Sequence, residues 1–337
     1  MGKIELNGRK PNLAIVGATG VVGNTFRTVL EERNFPYENV YMMASAKSAG
    51  SKVPFDGKEY IVEELTEQSF DKPIDIALFS AGGSISEKFA PIAASKGVVV
   101  VDNSSQWRMD PNVPLVVPEV NPEDAFNHNG IIANPNCSTI QAMLPLKPIH
   151  DKYGIKRIVY STYQAVSGSG VKGIQDLEEG LKGNDLCSAY PHPIAGNCIP
   201  HIDVFEENGY TKEEMKMINE TRKILGDDSI AITVTTVRVP IHSAHSEAIN
   251  LELKKPFGDI SEIKELISGF PGIILKDDVM NNVYPLARDA AGTDEVYVGR
   301  IRRDFSVESG INLWVVSDNI RKGAATNTIQ IAELLIK

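Results

Sequence analysis

The sequence is short of the features that mark a secreted, membrane-bound or nucleic-acid-binding chain. Its 337 residues include only three cysteines, Cys137, Cys187 and Cys198, widely spaced and with no CxxC pair. That set fits neither a disulfide scaffold nor zinc-type ligand spacing, so no metal and a reducing, cytoplasmic setting are expected. No apolar run approaches the ~20 residues that cross a bilayer, so no membrane partner is expected. The opening stretch MGKIELNGRKPN lacks the apolar core of a signal peptide. Positive charge is in the minority: 34 Lys and Arg against 44 Asp and Glu give a net charge of −10. Nucleic acid wants a basic field and is not expected as a partner, although one local anion pocket remains compatible with this balance. Fixed-period repeats and low-complexity segments are missing as well.

What is present is enough chain for about two domains, each with a sizeable core. In the N-terminal part, short apolar runs at 13–16, 40–44, 74–79 and 98–101 alternate with helical patterns at 22–33 and 85–95. Continuous apolar strands between helices predict a parallel sheet covered on both faces. After Cys137 the runs lengthen and partly alternate, at 156–163, 230–240, 248–254, 296–303 and 311–316. They are rich in Val, Ile and Thr, which predicts a mixed, largely antiparallel sheet with one face packed on helices or a partner. Helices are expected at 210–225 and 319–336, the last with an apolar stripe of Ala324, Ile329, Ala332 and Leu335. The expected fold is α/β. One domain of 1–136 and 319–337 would surround a second of 137–318. Residues 187–203, with three prolines, two histidines and two cysteines, read as an excursion over the surface or across a subunit interface.

Gly17, Gly20 and Gly23 stand between the first strand and the first helix in G-x-x-G-x-x-G spacing. Glycine there permits a tight turn and lets backbone N–H groups approach a pyrophosphate at the helix N-terminus. After the second strand the chain reads Met43-Ala44-Ser45-Ala46-Lys47-Ser48, with no acid to hold a ribose 2′-OH. Hydroxyls and a lysine suit a 2′-phosphate, so NADP is expected rather than NAD.

Asn134-Pro135-Asn136-Cys137-Ser138-Thr139 precedes an apolar helical segment at 140–147. With Asn136 as N-cap, Cys137 falls in the first turn, where the helix dipole favours a thiolate and N–H groups can hold an oxyanion. A thiolate nucleophile needs a proton-transfer partner. His242 and His245 both follow a β-rich run broken by Pro240, and spacing alone does not choose between them. Arg108 and Arg238 lie beside the candidate segments and offer planar forks for a substrate with two anionic groups.

In this order and spacing, the motifs GATGVVG (17–23), ASAKSAG (44–50), DNSSQWRM (102–109), NPNCST (134–139), YQAVSGSG (163–170), EEMK (213–216) and RVPIHSAHSEA (238–248) resemble the aspartate-β-semialdehyde dehydrogenase family over essentially the whole chain. The resemblance implies a Rossmann-type parallel-sheet domain plus an α+β catalytic and dimerisation domain, assembled as a homodimer or homotetramer. It implies NADPH-dependent reductive dephosphorylation of L-aspartyl 4-phosphate, in lysine, methionine, threonine and isoleucine biosynthesis. Cys137 matches the nucleophile. His245, seven residues after Arg238, matches the acid/base. Gln164 and Arg238 match substrate-binding positions, Arg238 on the α-carboxylate. Arg108 and Lys216 match phosphate-binding positions, supported by Asn136 and Glu213. Gly17, Thr19, Gly20, Val21, Val22, Lys47, Ser48, Ser167, Gly168 and Asn319 match cofactor positions. Lys47 stands where the family often has arginine. Asn136 and Ser138 flank the cysteine where N-acetyl-glutamyl-phosphate reductases usually have Gly and Tyr.

Overall fold

In the computed structural model, which describes residues 2–336, the chain falls into two units, Met1–Asn136 with Ala324–Lys337, and Cys137–Gly323. The first unit begins with β1 (Leu13–Val16), four apolar residues that are all buried. A strand of that kind needs cover on both faces. It turns into α1 (Val21–Glu32), which leads to β2 (Val40–Ala44). A small antiparallel hairpin, β3 (Lys52–Phe55) and β4 (Lys58–Ile61), precedes the two-residue β5 (Glu63–Glu64). Then come β6 (Ile76–Phe79), α2 (Gly83–Ser95), β7 (Val99–Asp102) and β8 (Ile131–Ala133). Six strands pair in the order β5-β2-β1-β6-β7-β8, all parallel. The order reverses beside β1, which opens a crevice at the carboxyl ends of β1 and β6.

The hairpin, β5 and β8 escaped the sequence patterns because they are short or polar. The C-terminal helix, Thr326–Ile336, buries Ile329, Ala332 and Leu335 in one core with Phe26, Val29 and Leu30 of α1. Its periodicity had suggested a start at Asn319. Instead Arg321–Ala325 forms a π-helical turn before the regular helix.

The second unit opens with α3 (Cys137–Tyr153), whose first half is buried almost completely. There follow β9 (Ile155–Gln164), α4 (Gly170–Leu181), α5 (Lys212–Leu225), β10 (Ala231–Arg238) and β11 (His245–Leu253). The unit closes with α6 (Ile260–Ser268), β12 (Ile273–Leu275), β13 (Val296–Asp304) and β14 (Gly310–Ser317). The sheet order is β10-β9-β11-β14-β13-β12, antiparallel through the middle and parallel at both outer pairs. The sheet is mixed, as the alternation predicted.

α5 starts at a capping box in which Thr211 and Glu214 bond reciprocally, and it stops at Gly226 in the left-handed region. Such an N-cap is worth about 1 kcal/mol, and it fixes where Glu213 and Lys216 stand. On β11 the residues His245, Glu247 and Ile249 are buried on the face that α3 covers. The opposite face presents Ala248, Tyr163 of β9 and Trp314 of β14, with the two rings 5.6 Å apart. β11 begins three residues earlier than its apolar pattern indicated, because His245-Ser246-Glu247 is polar yet fully enclosed. The 187–203 segment is not simply a surface excursion: Tyr190, Ile194 and Ile199 form a small core with Val166 and Leu177. Among the described residues no helix is long and apolar enough to cross a membrane.

Candidate active site

In the second unit, the chemistry-bearing side chains stand at strand and helix ends. Cys137 is the first residue of α3 and is partly exposed, while Asn136 immediately before it is buried. Gln164 ends β9 and Arg238 ends β10, and the two are in register on adjacent strands. Gln164 Nε2 donates to Glu213 Oε1 at 3.2 Å. One turn along α5, the Lys216 ammonium bonds Asp203 at 2.7 Å and Glu213 Oε2 at 3.3 Å. Carboxylates thus hold both the amide and the ammonium in place.

Arg238 and His245 meet at one residue, Ala165. Arg238 Nη1 donates to the Ala165 carbonyl at 2.6 Å, and the Ala165 N–H donates to His245 Nδ1 at 3.0 Å. A peptide N–H can only donate, so Nδ1 must accept and the ring proton sits on Nε2. His245 is 0 % exposed. Burial, and then the neighbouring Arg238 charge, hold it well below the usual histidine range, so it is neutral. Its Nε2 and the Nε of Arg238 are both buried without a hydrogen-bond partner. Two orphaned donors of this kind are costly unless a bound group accepts from them. A methyl group on Gly168 would come within 2.9 Å of Arg238 Nη1 and 3.4 Å of His245 Nε2, so glycine keeps this ground open. His242 lies elsewhere: it is exposed, near Glu178.

Asn319 ties the nearby turns together. Its Oδ1 accepts from Ser167 Oγ and from the Ala244 N–H, both at 3.1 Å. Ala244 has φ +69°, a left-handed conformation for a residue with a Cβ. The cost is of order 1–2 kcal/mol, and the turn swings the next residue, His245, into the sheet.

In the first unit the crevice is a cavity of about 280 Å³ lined by Gly17, Thr19, Gly20, Ser45, Ser80 and Ala81, among others. Gly17 has φ +90°, and a Cβ there would lie 2.2 Å from the Ser80 carbonyl oxygen. Gly23 is equally obligatory: its Cβ would meet the Gly17 oxygen at 2.2 Å. Gly20 is the N-cap of α1, and Val21 and Val22 form its first turn. Thr19 Oγ1 bonds Ser48 Oγ at 3.3 Å, and Lys47 beside it is exposed. Arg108 is buried and held by the carbonyls of Asn134 and Asn103, each at 2.9 Å.

Three residues that shape these sites carried no chemical signal in the sequence. Ala165 acts through its backbone, Ala244 through its φ, and Gly323 through close approach. A Cβ on Gly323 would lie 2.7 Å from that of Cys137. Only Gly323 had a visible cue, as a glycine inside a helical pattern.

The chain joins a parallel dinucleotide-type sheet to a mixed-sheet unit, and both halves match models of the semialdehyde dehydrogenases. Residues 12–128 match the family model described as semialdehyde dehydrogenase, NAD binding domain, and residues 146–322 match semialdehyde dehydrogenase, dimerisation domain. The aspartate-semialdehyde dehydrogenase of Aquifex aeolicus is 57 % identical over 333 residues, 96 % of this chain and 98 % of that protein. The structure of aspartate semialdehyde dehydrogenase II from Vibrio cholerae complexed with ASA superposes with a TM-score of 0.93 at 50 % identity. That match covers 97 % of this chain and 98 % of that one. Aspartate semialdehyde dehydrogenase with NADP from Candida albicans has a TM-score of 0.78 at 26 % identity, covering 97 % and 98 %. The chain belongs to the aspartate-semialdehyde dehydrogenase family, and is an oxidoreductase with an NAD(P)-binding domain.

Proposed function

We propose that the protein converts L-aspartyl 4-phosphate to L-aspartate 4-semialdehyde and phosphate, with NADPH as reductant, through a thioacyl intermediate on Cys137. The observation that carries this reading is the convergence of Arg238 and His245 on Ala165, both with orphaned donors, beside Gln164. That is a ready receptor for a carboxylate and a carbonyl oxygen.

The Cys137 thiolate, favoured at the N-terminus of α3, attacks the acyl carbon. The C–O bond to phosphate breaks and a thioester remains. Arg238, with Gln164, takes the α-carboxylate and so orients the carbonyl. Arg108 and Lys216, supported by Asn136 and Glu213, are assigned the phosphate. His245 presents Nε2–H, so it enters as a donor that stabilises the oxyanion of each tetrahedral adduct. The second adduct, an alkoxide, collapses to aldehyde and regenerates the thiolate with no net proton needed.

The residues of the first unit fit a dinucleotide: the Gly17 position excludes any Cβ, and the cavity opens at the N-terminus of α1. Gly17, Thr19, Gly20, Val21 and Val22 would hold the pyrophosphate, and Lys47 with Ser48 the 2′-phosphate. Ser167, Gly168 and Asn319 are assigned to the nicotinamide side. When bound, NADPH supplies hydride to the thioester carbon.

The same reading makes the protein a homodimer or a homotetramer. The exposed sheet face with Tyr163, Ala248 and Trp314, extended by Ile241, Tyr284 and Leu286, is its docking surface. Lysine, methionine, threonine and isoleucine synthesis in the cytoplasm is the proposed setting. The deciding assay is phosphate-dependent reduction of NADP with aspartate semialdehyde, repeated with NAD and with N-acetyl-glutamate semialdehyde. Turnover confined to the acetylated substrate, or independent of phosphate, would reject the reading.

A further inference from the structure

Glu247 lies two residues beyond His245 on β11 and is 0 % exposed. Alternate residues of a strand share a face, so its carboxyl sits beside His245 under α3. Neither of its oxygens has a hydrogen-bond partner. The groups that act on it are Gln141 and Ser138 from α3, Glu213 from α5 and Tyr160 from β9, the last bonded to Thr221 at 3.1 Å. None of these is a cation. An ionised carboxylate with no counter-charge beside it is not sustained at such depth. Burial, reinforced by the Glu213 charge and only partly offset by Gln141 and Ser138, pushes this carboxyl well above the usual range.

A protonated carboxyl has an O–H to place. Gln141 offers the complementary vacancy. Its Nε2 donates to the His245 carbonyl at 3.4 Å, while its Oε1 is buried with no donor. Gln141 also stands four residues after Cys137, on the same side of α3. We propose that Glu247 is a positioning residue: its carboxyl O–H donates to Gln141 Oε1, fixing that amide so that Nε2 holds the His245 carbonyl. The link clamps the helix that presents Cys137 to the strand that presents His245. The inference rests on the roles proposed above for those two residues.

The test compares Glu247→Met, which keeps volume without a donor, with Glu247→Gln, whose amide N–H can replace the O–H. Glu247→Met is expected to lose about 10- to 100-fold in kcat with little change in KM, as a sub-ångström loosening of the pair would cause. Glu247→Gln is expected to recover most of that loss. Infrared difference spectra at alkaline pH should show a carboxylic-acid C=O band in the wild type that both variants lack. A Glu247→Gln as inactive as Glu247→Met would overturn the proposal, since the group would then act ionised. A fully active Glu247→Met, or no acid band, would also overturn it. If Glu247→Met does not fold, the band and Glu247→Gln decide. A wild type inactive on aspartate semialdehyde would reject the functional reading, while the band still tests the hydrogen bond.

Discussion

Replacing Gly323 by alanine should separate activity from stability, because its added methyl meets the proposed nucleophile rather than the general core. The Cβ would stand 2.7 Å from Cys137 Cβ and 3.2 Å from its Cα, and the Gly323 N–H is anchored to the Asp318 carbonyl at 3.0 Å. Carbon atoms rest about 3.5–4.0 Å apart, so one partner must retreat by about 1 Å. Two terms oppose each other in stability. Gly323 has no positive φ, so the alanine reduces unfolded-chain entropy and contributes about 0.4–1 kcal/mol. Overpacking costs about 1–3 kcal/mol. The net change is a destabilisation of about 0–2.5 kcal/mol, too small to unfold a domain of ordinary stability. Catalysis has no such compensation. A misplacement of about 1 Å at the reacting atom costs about 100-fold. The measurement is kcat/KM for aspartate semialdehyde, phosphate and NADP, alongside Tm and the rate of Cys137 alkylation. A folded Gly323→Ala with wild-type kcat/KM would refute the argument that this glycine seats the cysteine.

Cys137→Ser should bind NADP normally, measured by fluorescence titration, and lose nearly all turnover; full activity would sink the covalent route. Arg238→Lys should keep its fold but lose at least about 10-fold in kcat/KM, because a point charge cannot replace a fork at a buried carboxylate site. Glu247→Gln should also change the pH dependence of stability. The native carboxyl keeps its proton above the ordinary glutamate pKa while the unfolded chain loses it, so wild-type stability falls as pH rises from about 4.3, by up to about 1.4 kcal/mol per unit. The amide removes that slope, and the Tm gap in favour of Glu247→Gln should widen between acid and alkaline pH. A constant gap would mean that Glu247 is ionised in the fold.

How much of the molecule could be read in its sequence follows from which physical signals leave a trace in side-chain type. LAIV at β1 and the three valines that open β7 are legible, because a strand buried on both faces is chiefly apolar, whereas Asp102 at the end of β7 lies outside that pattern. β5, two glutamates paired to the edge of β2, carries no such trace. Cysteine, arginine and histidine announce chemistry wherever they stand, but His242 and His245 announce it equally. The structure separates them: one is exposed beside Glu178, the other enclosed with Nδ1 on a peptide N–H.

The groups that build the pocket are the silent ones. Ala165 holds an arginine with its carbonyl and a histidine with its N–H, and every residue but proline has both groups. Its identity could be nearly anything small; only its place at the end of β9 matters, and place is what a sequence encodes least directly. Glu247 is the opposite case. Its side chain is chemically prominent, yet a strand pattern takes a glutamate for a solvent-facing residue. Its burial marks the spot where tertiary packing overrode that pattern, at a strand end where a histidine also had to be enclosed. Local rules and structure part company where the fold sets aside stability to position reactive groups.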